Sequence, residues 1–274
     1  VPSVGQVNET GHSRTYKGEW LARAGVYEGQ VLPMIASPAG TGYASVMSRL
    51  VIAVDGPAAA GKGTLARRLG TALRLAYLDT GSLYRAVAAR LLEEGRDPED
   101  AVAAAEVAAS LRSEELSRPD LRSQRVGEAA SKVSAHPAVR AALLNFQRRF
   151  AERPPGAFCG AVLDGRDIGT IVCPDADVKL FVTASKEARA QRRYLELLAR
   201  DETTIYAHVL AEIEARDARD RDRAVAPLRP AADAIILDTT NLTADEAFAA
   251  AMAIIKERTG RSAECVCSAQ AENN

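Results

Sequence analysis

Residues 50–64, LVIAVDGPAAAGKGT, constrain the chain more than any other stretch. An apolar run ends in Asp55, a glycine-containing loop follows, and an alanine- and leucine-rich pattern begins near Lys62. A strand that feeds such a loop and then a helix aims backbone N–H groups and the positive end of the helix at one point, which is a place for a phosphate. Lys62 adds a mobile charge able to reach outer phosphates. Gly56, Gly61 and Lys62 keep the G-x-x-x-x-G-K spacing, but Gly63 stands where a Mg²⁺-binding hydroxyl usually follows the lysine, and Thr64 comes one residue late. The spacing predicts a phosphate-binding loop, and the displaced hydroxyl asks which kind.

The rest of the chain repeats the strand and helix alternation. Short apolar runs at 50–56, 76–79, 160–165, 178–184 and 234–240 are separated by long alanine-rich helical patterns. This predicts an α/β fold with a five-stranded parallel sheet covered on both faces by helices. Ligands in open parallel sheets bind beyond the carboxyl ends of the strands. There the sequence collects Asp55, Asp79 with Thr80, Asp164, and Asp238 with Thr239 and Thr240. For the last group, capping of a turn is the preferred reading.

Composition narrows the partners. A formal net charge of −1 over 274 residues gives no global attraction to nucleic acid or anionic lipid, so anion recognition must be local and arginines are the residues to follow. Cys159, Cys173, Cys265 and Cys267 form no C-x-x-C pair, and His12, His136 and His208 match no catalytic grouping. His136, before Pro137, reads as a turn or helix-cap residue. No run approaches the roughly 18 apolar residues of a membrane span, and no export signal is evident. A reduced, cytoplasmic setting is expected. Residues 1–48 lack periodicity and read as an extension outside the fold, with Met47 a candidate start, and 261–274 read as a flexible tail.

Three further segments carry chemistry. LDTGSLYR places Asp79 and Thr80 at a strand end and Arg85 in the first turns of a helix, where a guanidinium can fork onto phosphate oxygens. LDGRDIGT, 163–170, gathers Asp164, Arg166 and Asp167 after another strand, an arrangement that suits a ligand but also a salt-bridged turn. Towards the C-terminus, AEIEARDARDRDRAVAPL sets Arg216, Asp220 and Arg223 on one helical face, while Arg219 and Asp222 are read as surface-pairing residues. Arg189, Arg192 and Arg193 lie on a helix in 185–203 that reads as a mobile lid.

Taken in order, DGPAAAGKGT, LDTGSLYR, ASKVSAHPAVR, LDGRDIGT, ARAQRR and RDARDRDRAVAPL resemble the bacterial cytidylate kinases, nucleoside monophosphate kinases with a P-loop fold, over roughly residues 49–258. The resemblance implies a three-layer P-loop kinase domain over 49–260, with a monophosphate-binding region near 80–150 and a lid near 186–204. It implies ATP and CMP or dCMP as substrates, with Mg²⁺ as cofactor. Gly56, Pro57, Ala58, Ala59, Ala60, Gly61, Lys62, Gly63 and Thr64 would hold the ATP phosphates. Thr80 and Arg85 would contact the monophosphate, and Ser131, Arg140 and Asp167 would read cytosine. Asp220 would sit near the ribose, with Lys62, Arg166, Arg189, Arg193, Arg216 and Arg223 neutralising phosphate charge and Asp164 steadying Mg²⁺ through water. A kinase for another nucleoside monophosphate or small metabolite is the alternative. Neither nucleic acid nor a membrane is an expected partner, and a monomer is expected. Longer family members carry an inserted small β-sheet where this chain runs LRSEELSRPDLRSQRVGEAASKV, 111–133, from one helix to the next. The G-K-G-T form matches these kinases, with Gly63 letting the backbone lie close beneath the phosphates.

Overall fold

A computed structural model describes residues 49–156, 158, 160–200 and 203–261. The expectations for 1–48 and for the tail from 262 onward, including Cys265 and Cys267, and for Cys159 lie outside the described residues. Five strands, β1 (Leu50–Asp55), β2 (Ala76–Asp79), β3 (Gly160–Asp164), β4 (Val178–Thr183) and β5 (Ile235–Asp238), form one parallel sheet in the order β2-β3-β1-β4-β5. The chain moves from the central β1 to one edge, returns to β3 beside β1, and then continues to the other edge. The carboxyl ends of β1 and β3 therefore lie at the switch point, where a ligand crevice opens in sheets of this kind.

Strand alternation decides which helix lies where. Leu50, Ile52 and Val54 face a cluster with Leu65 and Leu69 of α1 (Lys62–Ala72) and with Ala251 and Ile255 of α8 (Ala244–Thr259). Val51 and Ala53 face the opposite side with Leu163, Ile168 and Phe150, the last from α5 (Pro137–Glu152). Both faces are covered, as the continuously apolar strands require.

A separate apolar cluster joins α2 (Thr80–Glu93), α3 (Ala101–Ala109), α4 (Gln124–Val133) and α5. Its contacts run through Ala86, Ala88, Ala103, Ala104, Ala129 and Ala130, so the alanine richness of the sequence is spent on close helix packing here. Between α3 and α4 the chain makes only two 3-10 turns, Ser113–Ser117 and Pro119–Arg122, and no strand. His136 is the N-cap position of α5, ahead of Pro137, and its ring Nε2 lies 3.0 Å from the Pro98 carbonyl oxygen. On the far side of the crevice, α6 (Lys186–Leu198) and α7 (Tyr206–Asp222) pack on one another. No described helix is long and apolar enough to cross a membrane.

Candidate active site

β1 delivers the loop to the crevice. Gly56 has φ +141°, and a Cβ there would lie 1.9 Å from the Val182 carbonyl oxygen, so only glycine lets β1 end against β4. Gly61, φ +86°, is the N-cap of α1 and supplies no side-chain cap, which leaves first-turn N–H groups for an anion. Lys62 turns back over the loop and donates to the Pro57 carbonyl at 2.8 Å. Burial, then the neighbouring Arg166 charge, pull its ammonium down to about 7.

Asp164 at the end of β3 explains the glycine after the lysine. A Cβ on residue 63 would stand 3.1 Å from Asp164 Oδ2 and 3.6 Å from the Tyr77 hydroxyl. A serine or threonine there would crowd a carboxylate already occupied, because the Tyr77 hydroxyl donates to the same Oδ2 at 2.9 Å. Burial, then the nearby Asp79 charge, raise Asp164 to about 6. Asp55 is committed elsewhere: its two oxygens accept from Ile168 N at 2.8 Å and Gly169 N at 2.7 Å. Burial raises it to about 6 as well.

One wall of the crevice is cross-linked by ion pairs. Arg140 of α5 donates to Asp167 and, at 3.1 Å, to the Ser134 carbonyl, and its guanidinium lies 5.6 Å from the centre of the Tyr84 ring. Asp220 of α7 accepts from Arg166 Nε at 2.9 Å, with Arg223 Nη2 at 3.6 Å on its other oxygen. Burial alone would raise Asp220, but Arg166, Arg216 and Arg223 outweigh it and hold the carboxyl at about 2. Thr80 is buried and donates to the Asp164 backbone carbonyl at 2.7 Å, while Arg85 lines the crevice 4.0 Å from Asp79.

Arg216 is treated differently. Among the described residues it has no carboxylate within salt-bridge distance, and its buried Nε has no hydrogen-bond partner. Burial, then Arg166, bring it down to about 9. Arg223 also keeps a buried Nη2 without a hydrogen bond.

The lid arginines separate. Arg193 lines the crevice and pairs with Glu196 at 3.0 Å; Arg192 lines it too, donating to Thr239 Oγ1 at 3.1 Å and to the Thr239 carbonyl at 2.5 Å. Arg189 is off the crevice, buried, forked onto Asp217 at 3.0 and 2.6 Å and bonded to the Ala184 carbonyl, so it ties α6 to α7. Asp238 holds its own turn by accepting from Thr240 N and Oγ1, and Thr239 Oγ1 reaches the Ala60 carbonyl, so the strand end braces the phosphate loop.

The resulting cavity is about 810 Å³, bounded by the loop from Ala58 to Thr64, by α2, α4 and α5, and by α6 and α7. Gly56, Pro57 and Ala60 lie behind its surface, and Ser131 is buried between the lining residues Ala130 and Lys132. One sequence expectation is corrected. Arg219 lines the cavity and donates through Nε to Ser131 Oγ at 3.1 Å, because position i+3 from Arg216 belongs to the same helical face; Asp222 stays exposed beside Arg221. Arg219 is a cleft residue the sequence reading missed, as were Tyr77 and Asp217, which stand behind the cleft and hold Asp164 and Arg189.

The comparisons agree with this architecture. A family model described as cytidylate kinase matches residues 52–257. A cytidylate kinase of Paramagnetospirillum magneticum is 60% identical over 205 residues, 75% of this chain and 97% of the relative. One of Granulibacter bethesdensis is 60% identical over 210 residues, 77% and 98% of the two chains. One of Methylocella silvestris is 57% identical over 207 residues, 76% and 94%. With the match running from β1 into α8 and spanning nearly the whole length of these relatives, the chain belongs to the cytidylate kinase family.

Proposed function

We propose that the protein transfers the γ-phosphoryl group of ATP to the 5′-phosphate of CMP or dCMP, giving ADP and CDP or dCDP. The observation that carries this reading is a pair of cations at the centre of the cleft, Lys62 buried and Arg216 half-buried with a buried Nε, which among the described residues have no carboxylate within salt-bridge distance. Uncompensated buried charge is unfavourable, and polyphosphate is the ligand that removes the penalty at both. The Gly56–Thr64 loop would hold the ATP phosphates, with Lys62 on the outer ones. Arg85 would take the acceptor phosphate from the opposite wall, and Arg166, Arg193, Arg216 and Arg223 would spread charge over the phosphates in transit.

An acceptor phosphate oxygen bonds to the γ-phosphorus as the bridging β,γ bond breaks, and the electron pair leaves with ADP. Such a transfer asks the protein for alignment and charge neutralisation rather than covalent help. Arg189, forked onto Asp217, would act by tying the lid helix α6 to α7 so that Arg192 and Arg193 face the phosphates. The base would be read by Asp167, Arg140 and Ser131, with Asp220 near the ribose. Asp167 keeps acceptor capacity for the N4 amine of cytosine after bonding Arg140. Uracil would present an acceptor to that carboxylate.

No described cluster of three His, Cys, Asp or Glu could hold a metal ion. Asp164, with Tyr77 on one oxygen, is suited to receive a water of a hydrated Mg²⁺ that rests on nucleotide oxygens, the mode this cation prefers. The chemistry such an ion would supply is neutralisation of the nucleotide's phosphate charge. Both walls of the cleft come from one chain, in keeping with a monomeric enzyme whose acceptor region is 80–150 and whose lid is 186–204.

A coupled assay of ADP release across CMP, dCMP, UMP, AMP, GMP and shikimate tests the reading. Highest kcat/KM for CMP or dCMP is expected; preference for any other acceptor, or ADP release indifferent to acceptor, defeats it.

A further inference from the structure

We propose that Arg219 is a positioning residue for base selection, fixing the Ser131 hydroxyl as a hydrogen-bond donor towards the acceptor base. The inference rests on the cytosine reading given above. Arg219 Nε donates to Ser131 Oγ at 3.1 Å, bridging α7 to α4. The same two segments also meet through the Gln124–Glu212 contact and through Arg223 Nη1, 3.5 Å from the Ser134 carbonyl. Ser131 is buried, and Arg219 is the side chain that reaches its hydroxyl.

A serine hydroxyl is ambivalent: it donates one hydrogen and accepts through two lone pairs. Left to rotate, it can give its proton to N3 or O2 of cytosine, or accept the N3–H of uracil. A guanidinium at Oγ removes that choice. It occupies a lone pair and orients the O–H dipole with its proton turned away from the cation, which favours an acceptor on the base and disfavours a second incoming N–H. Selection against uracil thus uses a repulsive element in addition to Asp167. The constraint exists only while α7 lies against α4, so it operates where α7 meets the acceptor region.

The test is kcat/KM for CMP and for UMP in wild type, Arg219→Met, Arg219→Lys, Ser131→Ala and the Ser131→Ala/Arg219→Met double variant. Arg219→Met is expected to lower the CMP-to-UMP ratio by about tenfold, the size of loss expected when one polar discriminator is released. KM for ATP should stay in place, and Arg219→Lys should recover part of the ratio. In the Ser131→Ala background the Arg219 change should lower the ratio no further, because both act through one hydroxyl. Equal loss for CMP and UMP, or independent losses that multiply in the double variant, would overturn the inference while leaving a CMP-preferring wild type intact. A wild type without that preference would overturn the proposed function and this inference with it.

Discussion

On the acceptor wall, Asp167 holds Arg140 and Asp220 holds Arg166, whereas a few ångströms of fold away Lys62 and Arg216 have no carboxylate of their own. Each set mixes buried and half-buried members, Arg140 and Lys62 being buried and Arg166 and Arg216 half-buried, so the difference is not one of solvent. The paired residues form a scaffold that is complete before any ligand arrives. The unpaired ones are incomplete, and their depressed proton affinity registers it: Lys62 sits at about 7 and Arg216 at about 9. A site that must grip polyphosphate gains from this division: the carboxylates fix where Arg166 and Arg223 stand, while Lys62 and Arg216 bring charge that no salt bridge among the described residues has taken up.

The comparison breaks most visibly at the unpaired centre. Lys62→Met is expected to lower kcat/KM by about 10³-fold or more, in the range that a phosphate-contacting cation contributes to phosphoryl transfer. The same variant should unfold at equal or higher temperature than wild type without nucleotide, because it deletes a buried charge held only by the Pro57 carbonyl and no salt bridge among the described residues. Steady-state kinetics beside a melting curve read both. A Lys62→Met protein that melts well below wild type would place the lysine in the scaffold instead.

Asp220→Ala should do the reverse. Removing this carboxylate leaves Arg166 and Arg223 without their shared partner and takes the nearest negative charge from Arg216. A stability loss of about 3–5 kcal/mol is expected from breaking a buried ion pair on one side. Denaturant melts of the unliganded protein measure it. A loss under about 1 kcal/mol, the size of an exposed pair, would erase the distinction between wall and centre.

These two residues also mark what the sequence could and could not disclose. The five strands, the phosphate loop and the face shared by Arg216, Asp220 and Arg223 are local patterns, and local spacing found them. The motif family supplied Ser131, Arg140 and Asp167, which no spacing rule brings together. What stayed hidden are partners far apart in the chain: Tyr77 with Asp164, Arg189 with Asp217, and Asp55 with the backbone at 168 and 169. An acidic strand end reads alike whether it faces a ligand or, as Asp55 does, caps a neighbouring loop. Arg219 was lost for another reason. Its charge-alternating helix reads as a solvated surface, whereas its i+3 relation to Arg216 places it on the cleft face, where its side chain reaches Ser131.

The smallest effect separates wall from centre through protons. Lys62 has a folded pKa near 7 against an unfolded value of 10.5, so between those values the unfolded chain binds more protons and wild-type stability rises with pH. Asp220 behaves oppositely in origin: its folded value near 2 lies below 3.8, so its contribution is present above 3.8 and is lost as pH falls towards 2. Asp55 and Asp164, raised to about 6, make stability fall as pH climbs from 3.8 to 6 and then add no further slope. Between pH 7 and about 9 the slope therefore belongs to Lys62, and above that the raised Cys173 thiol acts in the opposite sense. The melting-temperature advantage of Lys62→Met should be greatest near pH 6 and shrink towards pH 10. At pH 8, ATP binding to wild type should take up a fraction of a proton as the phosphates restore the ammonium, seen as a binding enthalpy that changes with the ionisation heat of the buffer. Lys62→Met should lose most of that dependence, and a buffer dependence equal in both proteins would move the proton to the wall.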